Sequence, residues 1–289
     1  MKVLEISRKD LENNLKIIKK MANLKGKDDV GDRLKIIAVL KSNALGLGLV
    51  KFAKFLVNNE ITCLAVSTIE EAVTLRKADI KEQIILLTPT NIKKELKLLI
   101  ENNITITISS NEDIEAIKEV LKDNNKQVQA HIKIDTGIGR YGFLYTEKEN
   151  ILKAFRECEN LNLDIEGMYT HFSHPRNEKW TKKQFDRFLD VIAYIKGEKI
   201  NIKVLHCSAS TAFLKYSIMN LNAVRIGSVF QGRTLVPVSE LVKIGKFKTN
   251  IAEIKTLPKG YNIGYNNTYK TKKETKIAVI PVRIYGWSK

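Results

Sequence analysis

The sequence has few cysteines and no long apolar run, and these absences exclude several classes of protein. Its three cysteines, Cys63, Cys158 and Cys207, lie far apart and show no metal-ligand spacing. Such a sparse, odd-numbered set predicts free thiols in a reducing cytoplasm and no metal site. The first residues, MKVLEISRKDLENN, are charged where a signal peptide is apolar. No apolar stretch approaches the roughly 20 residues of a membrane-spanning helix, so a cytoplasmic protein is expected.

The excess of basic residues does not predict a nucleic-acid-binding protein. The 289 residues include 49 Lys and Arg against 32 Asp and Glu, which gives a formal net charge of +17. The lysines are spread along helical faces and no RNA- or DNA-binding motif stands out, which favours a solvated basic surface. An apolar content of 44% is enough for one large core or for two domains.

Short apolar runs alternate with helical patterns over most of the chain. Patterns such as GLVKFAKFLVNN and TIEEAVTLRKAD separate eight candidate strands, KIIAVL, TCLAVS, QIILLT, ITITIS, QAHIKI, DIEGMYTHF, KVLHCS and NAVRIG. This alternation predicts an α/β fold, a (β/α)8 TIM barrel over residues 1–235. An open doubly wound sheet is the alternative, but no G-x-G-x-x-G turn supports it. Residues 236–289 alternate apolar and polar residues, which predicts a partial, mostly β C-terminal domain.

Chemically active residue types fall at the ends of these candidate strands. Lys41 ends the first strand, Lys133 lies in the fifth, and the last three strands end in YTHF, HCSAS and VRIGS. In such barrels, catalytic residues lie at the C-terminal strand ends and the last loops commonly bind phosphate. Lys41 is either a lysine that reaches out to water or a desolvated amine suited to carbonyl chemistry. Lysine, arginine and a phosphate site together point to pyridoxal phosphate.

Six motifs, found in order along the chain, resemble those of the alanine racemase family of pyridoxal-phosphate enzymes. They are AVLKSNALGLG, HIKIDTGIGRYGF, EGMYTHF, HCSASTAFL, NAVRIGSVFQG and LPKGYNIGYNNTY. The resemblance implies that Lys41 binds the cofactor covalently and acts as a base on one face of the substrate. It also implies that Tyr265 acts on the opposite face and is contributed by the second subunit of a homodimer.

The same resemblance implies how further residues hold the cofactor. Arg225 would face the pyridine nitrogen, and together with His171 it would polarise the tyrosine. Arg140 would contact the phenolic oxygen, with Lys133 beside it as a candidate carbamylated lysine. The role of His206 stays open: it either packs in the core or supports a neighbouring group of the site. The phosphate contacts are implied for Ser210, Gly227 and Ser228.

The sequence departs from the family pattern in three places. Leu45 and Leu47 replace a tyrosine and a histidine, and weaker cofactor binding is expected because leucine cannot hydrogen-bond a phosphate. Ala209 and Thr211 alter the pair that usually follows the seventh strand. The sequence also ends before the family's last phosphate and carboxylate contacts, and Arg283 breaks a P-x-G-Y-x-D-G motif. A one-base frameshift near codon 283 is expected to have truncated the product and to leave catalysis poor or absent.

The resemblance implies an amino-acid racemase that interconverts L- and D-alanine and supplies D-alanine for peptidoglycan. Racemases for serine, lysine or ornithine stay open as alternatives, because substrate choice depends partly on the absent loop. A non-catalytic barrel protein that binds pyridoxal phosphate is a second hypothesis, which Tyr265 and its motif disfavour. An amino-acid decarboxylase on a related barrel is a weaker third hypothesis, since those enzymes need a longer β domain.

Overall fold

The structure is a computed structural model that describes residues 2–25, 34–122, 126–161 and 163–282. It forms two compact units, residues 11–243 and residues 1–10 together with 244–289. The sequence predicts a boundary at residue 235, but it does not predict that the first ten residues group with the C-terminal segment. As a division into independently folding domains it stays a prediction. The motif around Arg283 and the segment that follows it lie outside the described residues.

Strands and helices alternate through the larger unit, and strands predominate in the smaller one. The strands are β1 (Lys2–Ile6), β2 (Lys35–Val39), β3 (Cys63–Val66), β4 (Gln83–Leu86), β5 (Ile106–Ile108), β6 (Val128–Asp135), β7 (Phe143–Leu144), β8 (Leu163–Tyr169), β9 (Val204–Ala209), β10 (Ala223–Ile226), β11 (Gly245–Thr249), β12 (Glu253–Leu257), β13 (Asn262–Ile263), β14 (Tyr269–Lys270) and β15 (Thr275–Val279). The α-helices are α1 (Arg8–Lys25), α2 (Lys41–Leu45), α3 (Leu49–Val57), α4 (Ile69–Lys77), α5 (Lys93–Glu101), α6 (Asn111–Leu121), α7 (Lys148–Asn160), α8 (Glu178–Gly197) and α9 (Ser210–Lys215). Each of the eight candidate strands overlaps an observed strand.

The larger unit is a barrel of eight parallel strands. Their order is β4-β3-β2-β10-β9-β8-β6-β5. A parallel bridge between Ile85 and Thr105 joins the two ends of this order, and the Leu86 N–H donates to the Thr105 carbonyl at 2.9 Å. The barrel is therefore closed, as the sequence predicts, and the open doubly wound alternative is wrong.

Burial explains why these short apolar runs become barrel strands. Every residue of β3, β5 and β10 is buried, as expected for parallel strands covered by helices on one face and by the barrel interior on the other. Capping boxes at Thr68 and Ser110 begin α4 and α6, and each satisfies backbone N–H groups of its helix. The local sequence thus fixes where the chain leaves the strands, which places the strand-end residues.

The smaller unit is built from antiparallel pairs. β1 pairs with β11, β12 with β15, and β13 with β14. A single 3-10 turn, Tyr265–Asn267, lies between β13 and β14. The expected mostly β character of the C-terminal segment is confirmed. In the described ranges, no helix combines the length and the apolar character that crossing a membrane requires.

Gly232 offers a direct test of how the loop after β10 is held. It has φ of 64°, and a Cβ atom there would lie 2.0 Å from the Val242 carbonyl oxygen. We expect Gly232→Ala to lower the free energy of unfolding by about 2–4 kcal/mol, because left-handed strain adds to overpacking. Gly139, with φ of 68° and no atom within 4 Å of its Cβ position, is the matched control, and its alanine variant should lose only about 1 kcal/mol. Equal losses in urea unfolding would contradict the clash.

Candidate active site

One cavity at the C-terminal ends of the barrel strands gathers most of the residues that the sequence singles out. Its volume is about 470 Å³, a size usual for a small-molecule site. Eight predicted site residues line it: Lys41, Lys133, Arg140, His171, Ser210, Arg225, Gly227 and Ser228. Tyr265 belongs to the smaller unit, and its side chain is 95% exposed.

The short segment α2 is a left-handed turn after Lys41 and not a regular right-handed helix. Its positive φ angles are 57°, 55°, 55° and 54° at Ser42, Asn43, Ala44 and Leu45. Each costs an L-residue roughly 1–2 kcal/mol, and such strain persists only where the surroundings fix it. Asn43 supplies part of that support, because its Oδ1 accepts from the Leu49 N–H at 2.7 Å and its own N–H donates to Glu71 Oε1 at 3.2 Å. Lys41 itself is exposed, so the desolvated amine considered from sequence is not what this structure shows.

Arg225 is the central buried cation of the site. Its Nη2 donates to the Thr170 carbonyl at 2.8 Å and lies 3.2 Å from His171 Nδ1, while its Nη1 lies 2.6 Å from His206 Nδ1. Burial and the nearby Arg225 and Arg140 charges lower the pKa of His171 to about 3. His171 is therefore neutral, and because a guanidinium only donates, its Nδ1 accepts and its Nε2 carries the proton.

Asp135 shapes the loop that carries Arg140. Its Oδ1 accepts from the Gly137 and Ile138 N–H groups at 2.8 and 2.9 Å. Its Oδ2 accepts from the Arg140 N–H at 3.1 Å. The carboxylate is thus used in holding the loop.

Lys133 lies buried beside this loop. Burial, with the neighbouring Arg140 and Arg225 charges, lowers its pKa from 10.5 to about 8. Its Nζ lies 5.8 Å from the centre of the Tyr169 ring. Tyr169 is a site residue that the sequence analysis missed, and its ring also lies 5.0 Å from Arg225 Cζ. The only signal for it was its place near the end of the sixth candidate strand.

The loop after β10 approaches β2 closely at Gly227. A Cβ atom there would lie 3.0 Å from the Val39 carbonyl oxygen and 3.6 Å from Leu45 Cδ1. The Gly227 N–H donates to Ser210 Oγ at 3.2 Å. Ser210 and Gly227 therefore lie together at the cavity wall, and they carry a hydroxyl and a backbone N–H, which are donors of the kind that bind phosphate.

The donor set fits a phosphorylated, carbonyl-bearing cofactor. Lys41, Lys133, Arg140 and Arg225 line the cavity, and among the described residues no Asp or Glu does. Such a wall favours an anion, and the exposed Lys41 amine is accessible to a carbonyl group. Within the described ranges, no group of His, Cys, Asp and Glu is arranged to hold a metal ion.

Fold and site define a closed (β/α)8 barrel with an anion-accepting cavity at its C-terminal rim and a β-rich second unit. Sequence models of the alanine racemase N-terminal domain and C-terminal domain match residues 6–234 and 244–283. The chain belongs to the alanine racemase family.

Individual relatives agree with this assignment. Alanine racemase of Methanococcus maripaludis is 34% identical over 96% of this chain and 74% of its own length. The structure of alanine racemase from Clostridium difficile 630 is 29% identical with a TM-score of 0.80, over 96% of this chain and 72% of its own. Histidine racemase from Leuconostoc mesenteroides is 26% identical with a TM-score of 0.79, over 97% and 74%.

The lowered pKa of Lys133 predicts a specific pH dependence of stability. Between its folded pKa of about 8 and its ordinary value of 10.5, the unfolded chain binds more protons at this residue. The free energy of unfolding that this residue contributes should therefore rise with pH across that window. In Lys133→Met the contribution should disappear, and at pH 7 the variant should be the more stable protein. Urea unfolding of the parent and of Lys133→Met at several pH values, in carbon-dioxide-free buffer, measures both effects. Parallel profiles of the free energy of unfolding against pH would refute the lowered pKa of Lys133.

Proposed function

We propose that this chain is a pyridoxal-phosphate-dependent amino-acid racemase that interconverts L- and D-alanine. The observation that carries the proposal is the convergence of Lys41, Arg225 and the Ser210–Gly227 pair on one cavity that no carboxylate of the described residues lines. Membership of the alanine racemase family supports the reaction class. On this proposal the protein acts in the cytoplasm, and its D-alanine serves peptidoglycan synthesis.

The residues of the cavity divide the work of holding the cofactor. Ser210, Gly227 and Ser228 would hold the phosphate, and Lys41 would bind the carbonyl carbon covalently. Arg225 would donate to the ring nitrogen, which a guanidinium cannot protonate because it keeps its own proton. When bound, pyridoxal phosphate supplies an electron sink for the charge left by removal of the substrate Cα proton.

Lys133 is proposed as a carbamylated residue. Its pKa of about 8 leaves part of the amine neutral near physiological pH, and a neutral amine is the form that reacts with carbon dioxide. The resulting anion would lie beside the cationic Arg140, which lines the same cavity. Arg140 would then be held to contact the phenolic oxygen of the cofactor.

Racemisation needs a second proton-transfer group on the face of the substrate opposite Lys41. We assign this role to Tyr265, contributed by the partner in a homodimer, with neutral His171 and Arg225 adjusting its acidity. A tyrosine with a reference pKa near 10 needs such neighbours to serve as a base at neutral pH. The exposure of the Tyr265 side chain, 95%, leaves it free to enter another subunit's site.

The decisive experiment loads the chain with pyridoxal phosphate and measures both attachment and turnover. Borohydride reduction followed by peptide mapping should place the pyridoxyl group on Lys41. Incubation with L-alanine in deuterium oxide should yield D-alanine that carries deuterium at Cα, because the proton is removed and replaced, even at the low rate expected from the sequence. A label on another lysine, or none at saturating cofactor, would refute the site.

Substitution at Tyr265 separates the racemase from a non-catalytic cofactor-binding protein. Tyr265→Phe should keep the label on Lys41 and lose racemisation in both directions, because only the hydroxyl is removed. Attachment without turnover in the parent chain would favour the binding protein. Serine, lysine, ornithine and histidine belong in the same assay, the last because a structural relative is a histidine racemase.

Leu45 gives a test of the phosphate end of the cavity. It lines the cavity, and its Cδ1 lies 3.6 Å from the Cβ position of Gly227. Leu45→Tyr should tighten pyridoxal-phosphate binding by about tenfold, since a hydrogen bond to a charged group contributes at least about 1.5 kcal/mol. Leu45→Phe is the matched control, because it adds the ring without the hydroxyl. Equal dissociation constants for the two variants would show that the hydroxyl does not reach the phosphate.

A further inference from the structure

A chain of polar side chains runs from Arg225 through the buried interior of the barrel. Arg225 Nη1 lies 2.6 Å from His206 Nδ1, and His206 Nε2 lies 2.8 Å from His131 Nδ1. His131 Nε2 lies 3.5 Å from Glu166 Oε2. Lys35 Nζ pairs with the other carboxylate oxygen at 3.0 Å. Both histidines are 0% exposed, so the links that join Arg225, His206 and His131 are shielded from solvent.

The chemistry of arginine fixes the direction of every link in this chain. A guanidinium has no acceptor, so the nitrogen it contacts, His206 Nδ1, must accept. The His206 proton is then on Nε2, which donates to His131 Nδ1. That leaves the His131 proton on Nε2, which donates to the Glu166 carboxylate. Both imidazoles are neutral in this arrangement, and burial lowers the pKa of each, in agreement.

We propose that His206, His131 and Glu166 are positioning residues, which form a one-way hydrogen-bonded relay that fixes the guanidinium of Arg225 and its donor directions. The acceptors that the structure describes for this guanidinium are neutral, namely two imidazole nitrogens and the carbonyls of Thr170, His206 and Cys207. The relay connects the buried cation to a carboxylate through two imidazoles. The anion thereby polarises both rings and strengthens His206 Nδ1 as an acceptor.

Gly167 shows that the fold makes room for this relay. A Cβ atom at Gly167 would lie 2.6 Å from His131 Cε1 and Nδ1 and 2.8 Å from its Nε2. The pairing of β6 with β8 shifts its register between Ala130 and His131, beside the same glycine. Any larger residue at position 167 would displace the His131 ring. The glycine of the EGMYTHF motif is thus accounted for by the imidazole that lies against it.

The relay does not depend on the identity of the ligand, but one consequence rests on the proposed function. If Arg225 faces the cofactor's ring nitrogen, the relay fixes the donor that keeps this nitrogen unprotonated. The tautomers of the two histidines can be measured without bound cofactor and without catalytic turnover. A chain that fails to bind pyridoxal phosphate would therefore refute the proposed function and leave the relay standing.

The primary experiment is a nitrogen-15 NMR measurement of histidine tautomers in the full 289-residue chain, which has only four histidines. His131 and His206 should each show a protonated Nε2 and an unprotonated Nδ1 throughout the neutral pH range. A His206 ring protonated at Nδ1, or either ring protonated at both nitrogens, would overturn the proposal. This measurement needs no variant, so it decides the matter even where a substitution prevents folding.

Variants then test whether the relay holds Arg225. Gly167→Ala removes no polar group, but it displaces the His131 ring. The His206 Nε2–H signal should then be lost to exchange with water, and the Arg225 Nη–H signals should broaden. Gly197→Ala is the matched control, because its Cβ position has no atom within 4 Å, and both sets of signals should stay unchanged. A folded Gly167→Ala protein with the parent's His206 and Arg225 signals would overturn the positioning role.

Substitution of Glu166 tests whether its side chain acts as a hydrogen-bond acceptor for His131 or only fills space. In Glu166→Gln the amide oxygen still accepts from His131 Nε2–H, so the parent tautomers should be kept. In Glu166→Leu this carboxylate acceptor is removed, so the His131 Nε2–H signal should shift and exchange faster with water, while Arg225 still fixes the tautomer through His206. Identical His131 Nε2–H signals in the two variants would show that Glu166 does not end the relay.

Discussion

The buried guanidinium of Arg225 is the constraint on which the site depends. It is 4% exposed, and a charge in such a place is tolerated only where its donors are satisfied. Carbonyls at the ends of β8 and β9 and the imidazoles of His171 and His206 satisfy them. Because arginine only donates, it sets the tautomer of each imidazole that it touches. A single side chain thus decides which nitrogen of each imidazole can donate.

Closure of the barrel makes this arrangement possible. The guanidinium is carried by β10, while its partners come from β8, β9 and the residues that follow them. Parallel neighbours bring their C-terminal ends to the same rim, so residues far apart in sequence meet there. The close approach of Gly227 to Val39 joins β10 to β2 and brings the Ser210–Gly227 pair to the same wall as Lys41.

Much of the fold and part of the site could be predicted from the sequence. The eight barrel strands and the placement of Lys41 and Arg225 at one rim follow from apolar runs and strand ends, which are local signals. The left-handed turn after Lys41 was not predicted, because one asparagine, Asn43, is too weak a signal for four consecutive positive φ angles. The hydrogen-bond partners of His206 could also not be predicted, because they depend on strand register. Register is set by packing between segments that are distant in sequence.

The turn and the relay are both features that the barrel itself does not need. Left-handed φ angles at consecutive L-residues cost stability, and a buried polar set can often be replaced by well-packed apolar side chains with no loss. Stability alone therefore does not account for either. Both adjoin the same cavity, the turn through Lys41 and the relay through Arg225. What they have in common is that each adjoins a residue that brings a cation to this cavity, which a site for an anionic ligand requires and a barrel core does not.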